Sequence, residues 1–235
     1  MLIKVLYEDN HIIAVVKPAG IPTEQGKKGI SLDLMVKDYL KNKYKKPGNV
    51  FLGIVHRLDQ PVSGIMLFAK TSKGASRLSE QFREQELQKI YRAALVGKLR
   101  QKQGVLKSLI IKEKSNHFRA KVIEYDPLKS NQKIKTSKVH TAIEREAELE
   151  YKIIKEGALN SIVEIKLHTG RFHQIRAQFA SIGHPVIGDI KYGSPTMLPD
   201  GKIALHSSKI TFMTATGERK VELMTPEPKY FYDLL

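Results

Sequence analysis

The 235-residue chain is predicted to adopt an α+β fold, a mixed and mainly antiparallel sheet flanked by helices, and three observations carry that prediction. Strand-length apolar runs follow one another in pairs across short turns, as in LIKVLYE and HIIAVVKP or in HTAIEREAELEYKII and SIVEIKLHTG. Helical periodicity falls in separate segments between such runs, after Ser31, Thr71 and Thr169. There is also no internal repeat, no linker rich in Pro, Gly or Ser, and no low-complexity tract, so a single domain spanning 1–235 is the simplest organisation.

The elements follow in order. Asp9 and Asn10 join the first two runs as a tight turn, and Lys17-Pro18-Ala19-Gly20 ends the second. Ser31 suits the N-cap of a helix that puts Leu32, Met35, Val36, Tyr39 and Leu40 on one face. Lys41, Lys43, Lys45 and Lys46 gather near its C-terminal end, where they fit either phosphate contacts or a solvated helix end that favours the dipole. FLGIV at 51–55 reads as a strand, IMLFA at 65–69 as a buried strand, and Thr71 or Ser72 as the cap of a helix with Ala75, Leu78 and Phe82 inward. In KIYRAALVG, alternation sets Tyr91 with Ala93 and Leu95 on the more apolar face, which fits a core aromatic with a polar tip as well as a catalytic group.

From Gln101 to His140 the chain carries ten Lys or Arg against three acids. Short strands are predicted at SLIIK and RAKVI, and a loop at KSNQKIKTSK, which fits RNA contact or solubilisation equally. Two long strands then turn between Lys155 and Asn160. In TGRFHQIRAQFASIGHPVIGD, Thr169 is placed as a helix cap, with Phe172, Ile175, Phe179 and Ile182 on one face and Gly183 as a left-handed stop. Arg171 would then sit in the first turn, where a cation opposes the macrodipole and calls for an acidic partner, a phosphate or a carboxylate such as Asp59. IALHSSKITFM and RKVELMTPEP read as closing strands.

Composition narrows the partners. Lys+Arg 40 against Asp+Glu 24 leaves a net charge of +16, a surplus that fits a polyanion, nucleic acid foremost, or simply a lysine-rich proteome. Without cysteine there is no disulfide, thiolate nucleophile or Cys-ligated metal, which suits a reducing cytosol. MLIKVLYEDN lacks the apolar core of a signal peptide and no run approaches bilayer length, so a soluble cytoplasmic protein without membrane contact is expected.

The stretch HRLDQPVSGIMLFAK at 56–70 organises the rest. Pro61 fixes its own backbone and biases Gln60 to extended geometry, while Gly64 permits a conformation that other residues resist. Asp59 is thereby held on a stiff loop at the edge of the core, either as a turn residue that satisfies backbone amides or as a site residue.

Taken in order, EDNHIIAVVKPAG, HRLDQPVSGIMLFAK, KIYRAALVG and LHTGRFHQIRAQFASIGHPVIGDIKYG resemble the RluA-type pseudouridine synthases, from about Leu6 to Pro226. The resemblance implies the pseudouridine synthase fold, with its active-site cleft across the sheet, and isomerisation of uridines in ribosomal or transfer RNA. The base leaves C1′ of the ribose and rejoins through C5, with no cofactor and no metal. By the same resemblance Asp59 is the nucleophile, Tyr91 stacks on the target base and is a candidate for proton removal from C5, and Arg171 pairs with the carboxylate. Arg57 helps turn the nucleotide out of the RNA. Lys17 of KPAG, His56 and Ser63 around Asp59, His173, Gln174 and Arg176 of GRFHQIR, and Leu205 of LHSS are placed in RNA or substrate binding.

The chemistry agrees. A carboxylate near C1′ serves as nucleophile or anion, as in glycoside hydrolysis, and a guanidinium beside it favours the ionised form. Extruding a base costs about a few kcal/mol, which an aromatic platform and a filler side chain offset.

The chain departs from the family pattern at Val62, where Thr is usual, and at LHSS in place of LHA. No separate N-terminal RNA-binding domain is expected, so the catalytic domain and its basic insert at 101–140 would select the RNA, acting as a monomer. Two other classes share these residues: an inactive RNA-binding factor of the same fold, and a metal-dependent nuclease built on His56, Asp59, His173 and His206.

Overall fold

The computed structural model describes residues 3–24, 29–112, 119–124 and 145–235. β1 (Lys4–Glu8) and β2 (Ile12–Lys17) form the predicted antiparallel hairpin. Its turn closes because the Asp9 carboxylate accepts the backbone N–H groups of His11 and Ile12, both at 2.7 Å. α1 (Leu32–Lys43) follows Ser31 and buries Leu32, Val36 and Leu40. Of its C-terminal lysines, Lys43 is committed inside the protein, 2.6 Å from Glu8. β3 (Gly53–Ile54) is shorter than the predicted FLGIV strand, and β4 (Ser63–Ala69) is buried throughout. α2 (Ser72–Arg83) is capped by the Thr71 hydroxyl, which accepts the Gly74 N–H at 3.1 Å.

β5 (Gln88–Val96), β6 (Gln103–Lys112), β7 (Ala120–Glu124), β8 (Arg145–Glu156) and β9 (Asn160–Leu167) extend the sheet. SLIIK and most of RAKVI fall in β6 and β7, whereas the KSNQKIKTSK loop lies outside the described residues, as do positions 113–118 and 125–140 of the basic insert. α3 (Gln174–Ser181), β10 (Leu205–Met213), β11 (Lys220–Met224) and α4 (Tyr230–Asp233) complete the chain. The sheet runs β1-β2-β4-β10-β5-β9-β8-β6-β7, with β3 beside β4 and β11 beside β10. Only β4 and β10 pair in parallel among these ladders, so the mixed, mainly antiparallel α+β architecture is as predicted.

Alternate residues of β2 and β4 enter different cores. Ile13, Val15, Met66 and Phe68 pack with α1, α3 and α4 through Leu32, Phe179 and Phe231. Ile12, Ala14, Ile65 and Leu67 pack with Leu78 of α2 and with Ile210 and Phe212 of β10. IMLFA is apolar at every position because both of its faces are covered.

The third helix begins later than the sequence predicts. Thr169 does not cap it, because its hydroxyl accepts the Glu148 N–H from β8 at 2.9 Å and donates to Gln174 Oε1 at 2.8 Å. The helix starts at Gln174, and Arg171 and Phe172 precede it. His173 stands at the N-cap in left-handed geometry, φ +52°, and Gly183 makes the predicted left-handed stop at φ +82°.

β4 and β10 touch at one point. Ser63 and Gly64 pair with His206 and Ser207, after which β11 takes over that edge of β10 from Lys209 onward. Gly64 has φ +121°, and a Cβ there would lie 2.4 Å from both the N and the O of Ser207. Glycine is required on both grounds. Ser63 and His206 are buried across the same junction, Oγ to Nδ1 at 2.7 Å, so Ser63 is not available to RNA as the sequence reading placed it. Gly64→Ala is expected to lower unfolding free energy by about 3 kcal/mol or more, through left-handed strain and the backbone overlap together, measured by urea titration.

Candidate active site

The loop that carries Asp59 is anchored on both sides of it. Thr23 Oγ1 donates to the Leu58 carbonyl at 2.8 Å, and the Gln60 carbonyl accepts from Gly20 N at 2.8 Å and from Lys17 Nζ at 3.0 Å. Lys17 is wholly buried and also donates to the carbonyls of Pro18 and Ile21. Burial pushes its ammonium down to about 7, against the pull of the Asp59 carboxylate. The expected RNA contact at Lys17 is therefore corrected: the ammonium is spent on three carbonyls that shape the loop.

The partner of Asp59 is Arg176, not Arg171. Arg176 Nη1 donates to Asp59 Oδ2 at 2.8 Å, while Nε and Nη2 grip Asp189 at 2.6 and 2.9 Å in a two-pronged bond. Arg176 and Asp189 are 5% and 1% exposed, and the paired carboxylates raise the guanidinium pKa although burial opposes it. Arg171 lies outside the helix, and its Nε donates to the Glu146 carbonyl at 2.8 Å. Arg176, expected to contact RNA, is instead buried and paired with two carboxylates.

His173 adds a second contact to the same oxygen, Nε2 to Asp59 Oδ2 at 3.5 Å. Its Nδ1 meets the Tyr192 hydroxyl at 2.9 Å, its ring stacks on Phe172 with centroids 3.8 Å apart, and burial pulls it down to about 4. Gln174, also expected to bind RNA, is buried and organises the loop, accepting from Arg171 N at 3.0 Å and donating to the Glu148 carbonyl at 3.1 Å.

Above Asp59 opens a cleft of about 840 Å³ whose walls include Leu58, Val62, Tyr91, Ile175 and Leu205. Tyr91 and Leu205 come from β5 and β10, as the sequence reading placed them. Burial pushes the Tyr91 phenol up to about 12, a hydrogen bond with Ser207 opposing it. His56 stacks on Phe82 at 4.8 Å and its Nε2 accepts the Leu67 N–H at 2.9 Å, so that nitrogen holds β4 and is not offered to RNA. Burial pulls His56 down to about 3. At the rim Arg57 is 70% exposed and pairs with Glu24 at 2.8 Å, and Lys89 and Arg171 have no acidic partner among the described residues.

The nuclease arrangement does not form. His56 and His206 each commit a ring nitrogen elsewhere, and among the described residues no three His, Asp or Glu side chains are grouped to hold a metal. Asp189, Tyr192 and Lys89 were not assigned from sequence. The only signal for the first two was their place in GHPVIGDIKYG, which carries no contact information.

The chain and its fold are similar to those of known proteins. A sequence model described as RNA pseudouridylate synthase covers residues 11–181. The chain is 33% identical to an uncharacterised RNA pseudouridine synthase of Bacillus subtilis (strain 168), over 95% of this chain and 68% of that protein. It is 33% identical to ribosomal large subunit pseudouridine synthase C of Rickettsia bellii (strain RML369-C), over 96% of this chain and 69% of that protein. Its fold matches human RNA pseudouridylate synthase domain containing 4 with a TM-score of 0.76 at 22% identity, covering 98% of this chain and 91% of that one. The chain therefore belongs to the RNA pseudouridylate synthase family. It is of the RluA type, an isomerase that converts uridine in RNA to pseudouridine. No helix among the described residues is long and apolar enough to cross a membrane.

The buried histidines set a pH dependence. Burial holds His56 near 3 and His173 and His206 near 4, whereas the unfolded chain protonates them near 6.5. Between those values the unfolded state binds more protons, so stability falls as pH drops from about 6.5 to about 4. The slope is expected to reach about 1.4 kcal/mol per pH unit for each histidine. Urea titrations across this window read it, and His206→Asn should remove about one proton from the slope.

Proposed function

We propose that the chain isomerises one or a few uridines of ribosomal RNA, with Asp59 as the nucleophile toward a uridine turned out into the cleft. The observation that carries this is the Asp59 carboxylate, held by Arg176 at 2.8 Å beneath the cleft that Tyr91 and Leu205 line. Similarity to ribosomal large subunit pseudouridine synthases supports ribosomal over transfer RNA. The reaction is self-contained: the N1–C1′ bond breaks, the uracil turns, C5 bonds to C1′, and the proton lost from C5 is balanced by one gained at N1. A Tyr91 phenol near 12 stays neutral at physiological pH, which supports stacking and hydrogen bonding in preference to service as a free phenolate base. Arg57, exposed at the rim, is suited to fill the space the nucleotide leaves. On this reading the chain is a monomeric, cytoplasmic catalytic domain whose basic insert at 101–140 helps select the RNA.

Mapping pseudouridine in total RNA, by carbodiimide labelling and primer extension, tests the activity and names the target. Cells lacking the gene should lose one or a few ribosomal sites, restored by the wild type and not by Asp59→Asn. Asp59→Asn is expected to abolish turnover while RNA affinity stays within about threefold, since the lesion is in the chemistry. Persistence of every site, or loss only from transfer RNA, would overturn the assignment as stated.

Lys89 and Arg171 line the cleft without an acidic partner among the described residues, and each cation lowers the cost of bringing an RNA phosphate between them. Lys89→Ala or Arg171→Ala is expected to weaken RNA binding for all sequences alike and to reduce the slope of log K against log salt by about one each. Turnover at saturating RNA should stay within a few fold, measured by filter binding and single-turnover assay.

A further inference from the structure

His173 holds a backbone conformation that non-glycine residues rarely keep, φ +52° and ψ +26°, and such geometry persists only where the surroundings over-determine it. Those surroundings are Phe172 stacked on one face of the ring and Tyr192 edge-on at 5.6 Å. The Tyr192 hydroxyl meets two groups: it accepts the backbone N–H of Ala120, at the start of β7, at 2.8 Å, and it lies 2.9 Å from His173 Nδ1. A hydroxyl has one hydrogen. If Nδ1 carried a proton and donated it to Tyr192, the hydroxyl hydrogen would have no acceptor among the described residues. The satisfied arrangement gives the Tyr192 hydrogen to Nδ1, and the ring proton of neutral His173 then resides on Nε2.

That Nε2–H lies 3.5 Å from Asp59 Oδ2, the oxygen that also takes Arg176. The contact is too long for a strong hydrogen bond and close enough for the N–H dipole to orient the carboxylate. The opposite tautomer would present a lone pair to an anion. Tyr192 also reaches the other partner of Oδ2, because the Arg176 guanidinium lies 5.0 Å from its ring centre.

We propose that Tyr192 is a positioning residue for isomerisation: by accepting the Ala120 N–H and donating to Nδ1, it fixes the Nε2–H tautomer of His173 and thereby couples the docking of β7 on α3 to the orientation of Asp59. The proposal rests on Asp59 being the nucleophile.

Tyr192→Phe keeps the ring over Arg176 and removes only the hydroxyl. With ribosomal RNA from cells lacking the gene, the single-turnover rate at saturating enzyme is expected to fall about tenfold and RNA affinity to change less than twofold. In 15N-histidine-labelled protein, His173 should be the Nε2–H tautomer in the wild type and a mixture in the variant. His173→Gln replaces the imidazole by an amide without tautomers, and whatever rate that background has, adding Tyr192→Phe to it should change the rate less than twofold. An Nδ1–H wild type, an unaltered spectrum in Tyr192→Phe, or an equal loss in both backgrounds would overturn the proposal, the last by making Tyr192 a packing residue. A wild type without isomerase activity would count against the proposed function, and the spectrum would still decide the tautomer.

Discussion

One guanidinium fixes the site. Arg176 gives Nε and Nη2 to Asp189 and Nη1 to Asp59, and so ties the loop before β4, helix α3 and the segment after α3 into one body. A buried guanidinium costs several kcal/mol of desolvation unless it is paired, and here each of its three nitrogens donates to a carboxylate. The arrangement in turn buries negative charge in excess. Lys17, whose ammonium is drawn toward protonation by Asp59, and the dipole of His173 offset it. Removing any member would leave another charged group uncompensated, so the carboxylate, its partner and its loop stand or fall together.

The backbone supplies the frame on which those charges sit. β4 and β10 can approach only where residue 64 has no side chain, and they separate at once as β11 and β3 take the freed edges. α2 covers the widening gap with Leu78 against Ile65, Leu67 and Ile210. Asp59 is just upstream of the contact, and Leu205 just upstream of it on the other strand. A cleft at this end of the sheet follows from two parallel strands meeting end-on. Lys17 fills the corner that the KPAG turn leaves, and its ammonium donates to the carbonyls of Pro18, Ile21 and Gln60.

Elements set by local chemistry were legible in the sequence. Paired strand-length runs marked β1, β2, β8 and β9, alternation marked β5, periodicity marked α1 and α2, and Gly64 was marked by its place in the turn. The Thr71 hydroxyl caps α2 as read, whereas Ser31 stands at the N-cap of α1 with its hydroxyl donating to Asp33. What failed depended on partners distant in sequence. Thr169 has the right chemistry for a cap, but Glu148 of β8 takes its hydroxyl. The dipole argument then assigned the carboxylate to Arg171, although the residue that reaches Asp59 is Arg176, five residues further on and inside the helix. Ser63, Lys17 and Gln174 are polar residues inside motifs, and a motif does not distinguish a side chain that meets a ligand from one that is buried holding the backbone. The order of strands in the sheet was not legible either, since the single parallel contact involves two residues on each side.

Pairing sorts the cations of the cleft by task. Each nitrogen of the Arg176 guanidinium donates to a carboxylate, so an RNA phosphate would compete with Asp59 and Asp189 for it. Lys89 and Arg171 have no acidic partner to give up among the described residues, and both line the cleft. On the proposed function these two cations would hold the RNA backbone, and the part of RNA brought to the carboxylate would be an uncharged base. Tyr91, neutral and sharing the cleft wall with Leu205 and Val62, is suited to receive that base and poorly suited to receive a phosphate. The same carboxylate that would attack a uridine thus repels the one part of RNA that must not occupy its place.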